Sequence, residues 1–355
     1  MAKFSILQFL REQRTVLPLP KAVGDVSSKT FMVTGSNVGL GFEASVHLAK
    51  MTPKLLFMTS RDSVKCEQAR KAVLQRVAAD SVVSPEVFAR PLDLGSFENV
   101  RAFVDKFAAE GEGQLNVLVA NAGVFCEDYT QTQDGWDLIL QVNYLSTALL
   151  SLLLLPYLVN SSGTDSPSRL VLVSSLGHHL GSSDLKKAET WSRLLETIND
   201  KQFGSRSLLR NSVTRYDVSK LLEVIFIREL SARLPDSTPV VACTVDPGYC
   251  ISNLFRGPES KWYVRTILSG AKRVLFARSA EEGSRTLVHA AVAGEAHSIH
   301  GRYLSSCQIT EENDYLFTPE GKAFSIRLWA ETIATLSKVD GRVSEIVARH
   351  LRADL

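Results

Sequence analysis

From about residue 30 to residue 250 the chain alternates short apolar runs with longer segments whose apolar residues recur near every 3.6 positions. The short runs Thr30–Thr34, Leu55–Thr59, Val87–Pro91, Leu115–Ala120, Leu170–Ser174 and Val240–Val245 predict strands. Between them Gly39–Met51, Ser63–Ala79, Ser96–Ala109, Asp134–Val159 and Tyr216–Leu234 predict helices. Strands apolar on both faces and separated by helices form a parallel sheet covered on both sides. Right-handed crossovers then give an α/β fold, a doubly wound, Rossmann-type sheet. No internal repeat interrupts the pattern, and the polar stretch Asn160–Ser168 reads as a helix-to-strand loop marked by Gly163 and Pro167.

Around this unit, assigned to residues 28–337, the chain carries an N-terminal arm (1–27) and a C-terminal helical tail (338–355). The arm begins with a short apolar stretch that resembles a signal peptide, yet it contains Gln8 and runs into Arg11-Glu12-Gln13-Arg14 instead of a cleavage site. It predicts an amphipathic helix packed on the body, with a peripheral membrane contact as the alternative. Leu138–Val159 approaches the roughly 20 apolar residues of a membrane span. It also holds Gln141, Asn143 and Pro156 and falls between strands of one sheet, so a buried core helix is expected.

Composition narrows the classes. In 355 residues, 45% are hydrophobic, ample for a buried core, and the net charge of +2 gives no basic field for nucleic acid. Cys66, Cys126, Cys243, Cys250 and Cys307 are odd in number and scattered, which predicts neither a zinc ribbon nor a disulfide scaffold but a reducing, cytoplasmic setting. His178 and His179 lack a third ligand at plausible spacing, so no metal is expected and they read as structural.

The first strand runs into Thr34-Gly35-Ser36-Asn37-Val38-Gly39-Leu40-Gly41 and a helix follows. Glycines there allow a tight turn and close backbone approach, and helix N-terminal amides face a pyrophosphate. A glycine-rich βα turn without ligand is the plainer alternative. At the end of the second strand an acidic residue would repel a 2′-phosphate; the chain instead has Ser60 and Arg61, which favours NADP(H) over NAD(H). The competing role for Arg61 is an ion pair with Asp62. Asp93-Leu94 after the third strand fits the adenine edge, and Asn121-Ala122-Gly123 after the fourth fits a turn bracing the cleft.

Tyr216 and Lys220 stand four residues apart where a helix opens, so they share one face. A phenol with a pKa near 10 ionises poorly at neutral pH, and a neighbouring ammonium brings it into range for proton transfer. Alone, a tyrosine and lysine at this spacing are common. Here the glycine loop, Asn121-Ala122-Gly123, Asn143, Ser175, Tyr216-x₃-Lys220 and Pro247-Gly248 follow in order, and the chain resembles the short-chain dehydrogenase/reductase family over about residues 28–335. Thr59–Asp62, Val173–Gly181, Gly301–Cys307 and Arg327-Leu328-Trp329 resemble its retinol dehydrogenase and carbonyl reductase-like branch.

The resemblance implies that Tyr216 is the acid in carbonyl reduction and the base in alcohol oxidation. Lys220 would lower its pKa and bind the nicotinamide ribose, Ser175 would hold the substrate oxygen, and Asn143 would anchor a relay water. Ser174 competes with Ser175; the adjacent Leu176-Gly177 favours the second. Pro247-Gly248 would shape the nicotinamide pocket. Two stretches depart from the family: Val38 stands where some NADP-preferring members have a basic residue, and Cys250 and Ser252 replace the usual β-branched residue and Thr after Pro-Gly. Ser252 keeps a hydroxyl for the carboxamide.

Residues 176–215 form an insert, in which Ser182–Thr197 predicts a capped helix with Leu185, Trp191, Leu194 and Leu195 on one side. Such an insert lies over the family's dimer helices, leaving monomer or homodimer open. Residues 251–277, with Phe255, Trp262, Tyr263 and Leu268, correspond to a substrate lid, or to ordinary helix packing. The expected function is NADP(H)-dependent exchange of hydride between a lipophilic alcohol and its ketone or aldehyde, retinoid-, steroid-, terpenoid- or polyketide-like. A catalytically silent dinucleotide sensor or scaffold is the alternative from another class.

Overall fold

β1 (Thr30–Val33), β2 (Leu55–Ser60), β3 (Glu86–Pro91), β4 (Val117–Ala120), β5 (Ser168–Val173), β6 (Val240–Asp246), β7 (Tyr303–Ser305) and β8 (Gln308–Thr310) form one sheet in the order β3-β2-β1-β4-β5-β6-β7-β8. The computed structural model describes residues 5–79, 85–110, 113–163, 166–185, 188–204, 211–251 and 276–352. β1 to β7 run parallel, and β8 returns antiparallel along β7.

Strand alternation divides the core in two. Met32, Phe57, Leu118, Leu170 and Ala242 face α4 (Phe97–Glu110), α5 (Ser146–Ser161) and α8 (Asn211–Arg233). Phe31, Val33, Leu56, Val119, Val171 and Val245 face α2 (Gly39–Lys50), α3 (Ser63–Ala78) and α9 (Ala280–Val288). Every residue of β1, β2, β4, β5 and β6 is buried, which explains their largely apolar sequences, while the edge strand β3 is partly exposed. The apolar helix through Leu140–Ser161 is long enough to cross a membrane by composition, but it is 83% buried within the fold. It packs against α4, β5 and the terminal helix Arg342–His350.

Several elements differ from the sequence expectation. β7 and β8 have no counterpart in it: their two-residue turn, Ser306 and Cys307, has φ of 53° and 61° without the Gly or Asn that usually marks such a turn. The segment expected to be helical from Asp134 begins later, with a π-helical stretch at Leu140–Leu145 before α5. α8 begins at Asn211, so Tyr216 sits in its second turn and does not open it. The insert is not one helix over Ser182–Thr197 but α6 (His178–Leu185), a 3₁₀ turn (Ala188–Thr190) and α7 (Leu194–Asn199). The break lets Leu194 and Leu195 present their N–H groups to the Glu331 carboxylate, which caps α7 from the helix Pro319–Val339. Leu185, Leu194 and Leu195 remain buried.

The N-terminal arm carries α1 (Ile6–Gln13) and lies on the body, with Phe9 and Leu17 buried. Of residues 251–277, the structure describes Ile251 and 276–277; Ser252, Phe255, Trp262, Tyr263 and Leu268 lie outside the described residues.

Candidate active site

Parallel strands leave their C-terminal ends on one edge, and the chain order reverses between β1 and β4, where an open α/β sheet forms its ligand crevice. The candidate residues follow β1 to β6 on that edge. Gly35 and Gly39 have φ of +64° and +62°, a conformation that glycine adopts without strain. At Gly35 a Cβ would lie 2.9 Å from Ala122 Cα, and at Gly41 2.4 Å from the Gly35 oxygen and 2.5 Å from Asn121 Nδ2. The loop is thus pressed against the turn after β4. Asn121 donates from Nδ2 to the Thr34 carbonyl at 2.9 Å, and the N–H groups of Asn121 and Ala122 both donate to Thr34 Oγ1 at 2.9 Å.

In front of Gly39, by contrast, nothing among the described residues lies within 4 Å of a Cβ position, and the first turn of α2 carries no acidic side chain. These residues fit a dinucleotide: open space at a helix N-terminus, lined by backbone donors. Asn37 and Leu40 are half-buried beside it. Ser36 does not face it: buried, it directs both its N–H and its hydroxyl to the Thr59 carbonyl at 2.8 and 3.2 Å.

Ser60 is buried and donates to the Asp62 carbonyl, while Arg61 is exposed. Asp62 caps α3, accepting from the Lys65 N–H at 3.0 Å and pairing with Lys65 Nζ at 3.7 Å. Arg61 therefore stands at the strand end with its neighbouring carboxylate engaged elsewhere. Asp93 is half-buried and its Oδ1 accepts from Gly95 N; the Leu94 side chain is core, so only its backbone can reach a ligand.

The reacting groups come together between β4, β5 and α8. Tyr216 is half-buried, its ring edge-on to Phe125 at 5.8 Å and 5.6 Å from Lys220 Nζ. Burial raises the phenol above its ordinary pKa, and the carboxylates of Glu223, Asp246 and Asp217 push the same way; the Ser175 hydroxyl, hydrogen-bonded to the phenol, opposes them. Ser174 is turned inward, donating to the Lys220 carbonyl at 2.9 Å. Lys220 is buried, and its ammonium donates to the Val173 carbonyl at 2.9 Å and to Glu223 at 2.9 Å.

Asn143 lies in the π-helical stretch, buried. Its Oδ1 accepts from Val124 N at 2.8 Å, and its Nδ2 donates to the Val124 carbonyl at 3.1 Å and Ser219 Oγ at 3.0 Å. Thr147 Oγ1 donates to the Val142 carbonyl five residues back, satisfying an acceptor in the wider turn. Gly123 keeps the space between these groups clear: a Cβ there would sit 3.4 Å from Asn143 Oδ1 and 3.6 Å from Lys220 Nζ.

His178 is enclosed, its Nδ1 2.8 Å from the Ser175 carbonyl oxygen and its ring 3.8 Å from that of His179 and 4.3 Å from that of Tyr303. Burial holds the His178 imidazole well below its ordinary pKa, which leaves it neutral and packed beside Ser175.

Three residues at the site were not legible as such in the sequence. Glu223 could have been found, since it lies three residues beyond Lys220 in the otherwise apolar run Leu221–Ile227. Gln13 and Arg278 carried no local signal. Gly248, φ +78°, admits Gln13 Oε1 and Arg278 Nη1 at 2.2 and 2.8 Å from where a Cβ would be. Arg278, itself buried, donates to the carbonyls of Pro247 and Glu12 and to Ser306 Oγ, fixing the Pro247-Gly248 turn.

The short chain dehydrogenase family model matches residues 29–192. A short chain dehydrogenase of Arthrobotrys oligospora is 33% identical to this chain over 89% of its length and 94% of the relative's. Retinol dehydrogenase 12 of Homo sapiens is 34% identical over 79% of each chain. Among solved structures, an NADPH-bound carbonyl reductase from chicken fatty liver has a TM-score of 0.54 at 18% identity, covering 80% of this chain and 98% of that one, a likeness of fold.

Proposed function

This chain belongs to the short-chain dehydrogenase/reductase family, in its retinol dehydrogenase-like branch, and from that premise we propose that it uses NADP(H) to interconvert a lipophilic alcohol and its ketone or aldehyde. The family's oxidoreductases bind a nicotinamide dinucleotide. The observation that carries the reading is the meeting of the Ser175 hydroxyl, the Tyr216 phenol and the Lys220 ammonium beside Gly123, where the missing side chain leaves Lys220 Nζ and Asn143 Oδ1 uncovered.

The dinucleotide, when bound, supplies or accepts the hydride. Tyr216 and Ser175 hold the carbonyl oxygen between two hydroxyls, and Tyr216 gives that oxygen its proton as the carbon is reduced; in oxidation the phenolate takes it back. Lys220 stabilises the phenolate and holds the ribose. Asn143, fixed by Val124 and Ser219, faces the same space and orients the water that returns a proton to the cleft. Gly39 and the α2 N-terminus receive the pyrophosphate while Gly35 and Gly41 seat the loop against the turn after β4, and the exposed Arg61 fork takes the 2′-phosphate. Asp93 and Asn121 border the adenosine half, and Pro247-Gly248 the carboxamide.

Support for a lipophilic substrate comes from retinol dehydrogenase 12 among the relatives, from Phe125 against the Tyr216 ring, and from the aromatic composition of residues 251–277. The odd, scattered set of five cysteines is the basis for proposing a cytoplasmic setting. The test is turnover by the purified protein of lipophilic ketones with NADPH and of the matching alcohols with NADP⁺. Tight cofactor binding without turnover on a broad range of both would favour the silent sensor.

A further inference from the structure

Lys220 is tied to a second charged group that the reaction as described does not use. Glu223, one turn further along α8, places Oε1 2.9 Å from Lys220 Nζ, and the two side chains are only 5% and 3% exposed, Lys220 and Glu223 respectively. Its neighbours Leu221, Leu222, Val224, Ile225, Phe226 and Ile227 are all core residues. Removing two charges from water is costly, and a buried pair offsets that cost only when its remaining lone pairs are satisfied. Here they are not: Glu223 Oε2 has no hydrogen-bond partner among the described residues. As a structural bridge the pair is poorly made, and an apolar residue would serve the core better.

Its position relative to Tyr216 gives the carboxyl a purpose. An ammonium has three N–H donors. Val173 and Glu223 take two, leaving one for the cleft bordered by Gly123 and Asn143. We propose that Glu223 is a positioning residue of the reaction: it fixes the Lys220 ammonium at the floor of the cleft and offsets its charge, so that Tyr216 keeps its proton and serves as an acid further into the alkaline range than Lys220 alone would allow. This rests on the reading of Tyr216 as the proton donor.

The groups that bear on Tyr216 are Lys220, Glu223 and Asp217 on its own helix, Asp246 at the end of β6, and the Ser175 hydroxyl beyond β5. Lys220 is the charge that bears on Glu223. Burial pushes the Glu223 carboxyl up against the pull of the ammonium 2.9 Å away, while burial and the nearby carboxylates push the Tyr216 phenol above its own, already higher, ordinary range. Glu223 has therefore ionised before Tyr216 does, and the phenol meets a neutral pair instead of a lone cation. The pH range of carbonyl reduction is extended upward, and the plateau of alcohol oxidation, which needs the phenolate, is reached later.

The test compares the full-length wild type with Glu223→Gln and Glu223→Asp, following kcat/KM for carbonyl reduction from neutral to strongly alkaline pH. Ultraviolet titration of tyrosinate, taken as the difference from Tyr216→Phe in each background, follows the phenol without turnover. In Glu223→Gln the alkaline limb of reduction and the Tyr216 titration should both move down by about one pH unit. Glu223→Asp, which keeps the charge with a shorter reach, should hold the limb in place while kcat falls severalfold. Unmoved limb and titration in Glu223→Gln, or a limb in Glu223→Asp displaced as far as in a neutral side chain, overturns the role of Glu223. Wild-type turnover indifferent to Tyr216→Phe would instead overturn the reading of the reaction on which the proposal rests.

Discussion

The Gln13 carboxamide closes a two-bond ring on the backbone of Tyr249: Nε2 donates to the Tyr249 carbonyl and Oε1 accepts from its N–H, both at 3.0 Å. The same Nε2 lies 3.2 Å from the Phe276 carbonyl, so one side chain of the N-terminal arm holds both chain ends that bound residues 252–275. Those ends also meet each other, Ile251 N donating to the Arg278 carbonyl at 2.9 Å. On the proposed function, the arm thereby braces both ends of the segment that the sequence marks as a substrate lid. Gln13→Leu should raise KM for the carbonyl about tenfold, with a smaller change in kcat, and lower stability by about 2–4 kcal/mol as several backbone groups lose their partner. Steady-state kinetics beside thermal melting decide it; an unchanged KM would make the arm a mere brace.

The glycine loop separates packing from ligand approach. Gly41→Ala forces a Cβ to within 2.4 Å of the Gly35 oxygen, and backbone does not yield readily, so a loss of about 1–3 kcal/mol is expected. Gly39→Ala meets no atom within 4 Å and costs the fold only about 1 kcal/mol for its positive φ, but it fills the space where phosphate must approach. Melting temperature should therefore fall mainly in Gly41→Ala, whereas NADPH fluorescence should show binding lost in Gly39→Ala as well. Undiminished binding in Gly39→Ala would move the pyrophosphate elsewhere.

Arg61 decides between the cofactors. Arg61→Ala should weaken NADPH about 10- to 100-fold and NADH less than about threefold, because only the former presents a dianionic 2′-phosphate to the guanidinium. Isothermal titration with both cofactors measures the ratio. Equal losses would remove the assignment.

Asp217 predicts a pH dependence of stability. Burial pushes its carboxyl from an ordinary 3.8 up to about 7, with Asp184 adding to the shift. The folded state then holds a proton that the unfolded chain has already released. The contribution is fully present below about pH 4 and is lost as pH rises through about 7. Asp217→Asn should match the wild type in the acid range and exceed it by about 1–3 kcal/mol above pH 8. Urea unfolding at both pH values checks this, and parallel curves would contradict it.

What the sequence reveals and what it hides follow one physical division. Tyr216 and Lys220 are legible because a helix repeats locally, and the strands because burial on both faces makes most of their positions apolar on either side. Glu223 obeys the same helical spacing, and the otherwise apolar run Leu221–Ile227 around it is the signal that marks it as a buried charge. The insert shows its apolar residues but not its break, since the cap on α7 is Glu331, more than a hundred residues away. Gln13 and Tyr249 are 236 positions apart, and nothing in either neighbourhood announces the pair. Ser36 belongs to the glycine loop, but loop membership does not say which way a hydroxyl turns, and the Thr59 carbonyl takes it inward.

The central claim is that the Tyr216 phenol carries the proton. Its most direct measurement is kcat/KM for reduction of a lipophilic ketone by NADPH in the wild type and in Tyr216→Phe, with the cofactor dissociation constant determined for both. The phenylalanine keeps the ring packed on Phe125 and removes only the hydroxyl. The account predicts turnover reduced by about 10²–10⁴-fold or more with cofactor affinity nearly unchanged. Comparable turnover in the two proteins would contradict it.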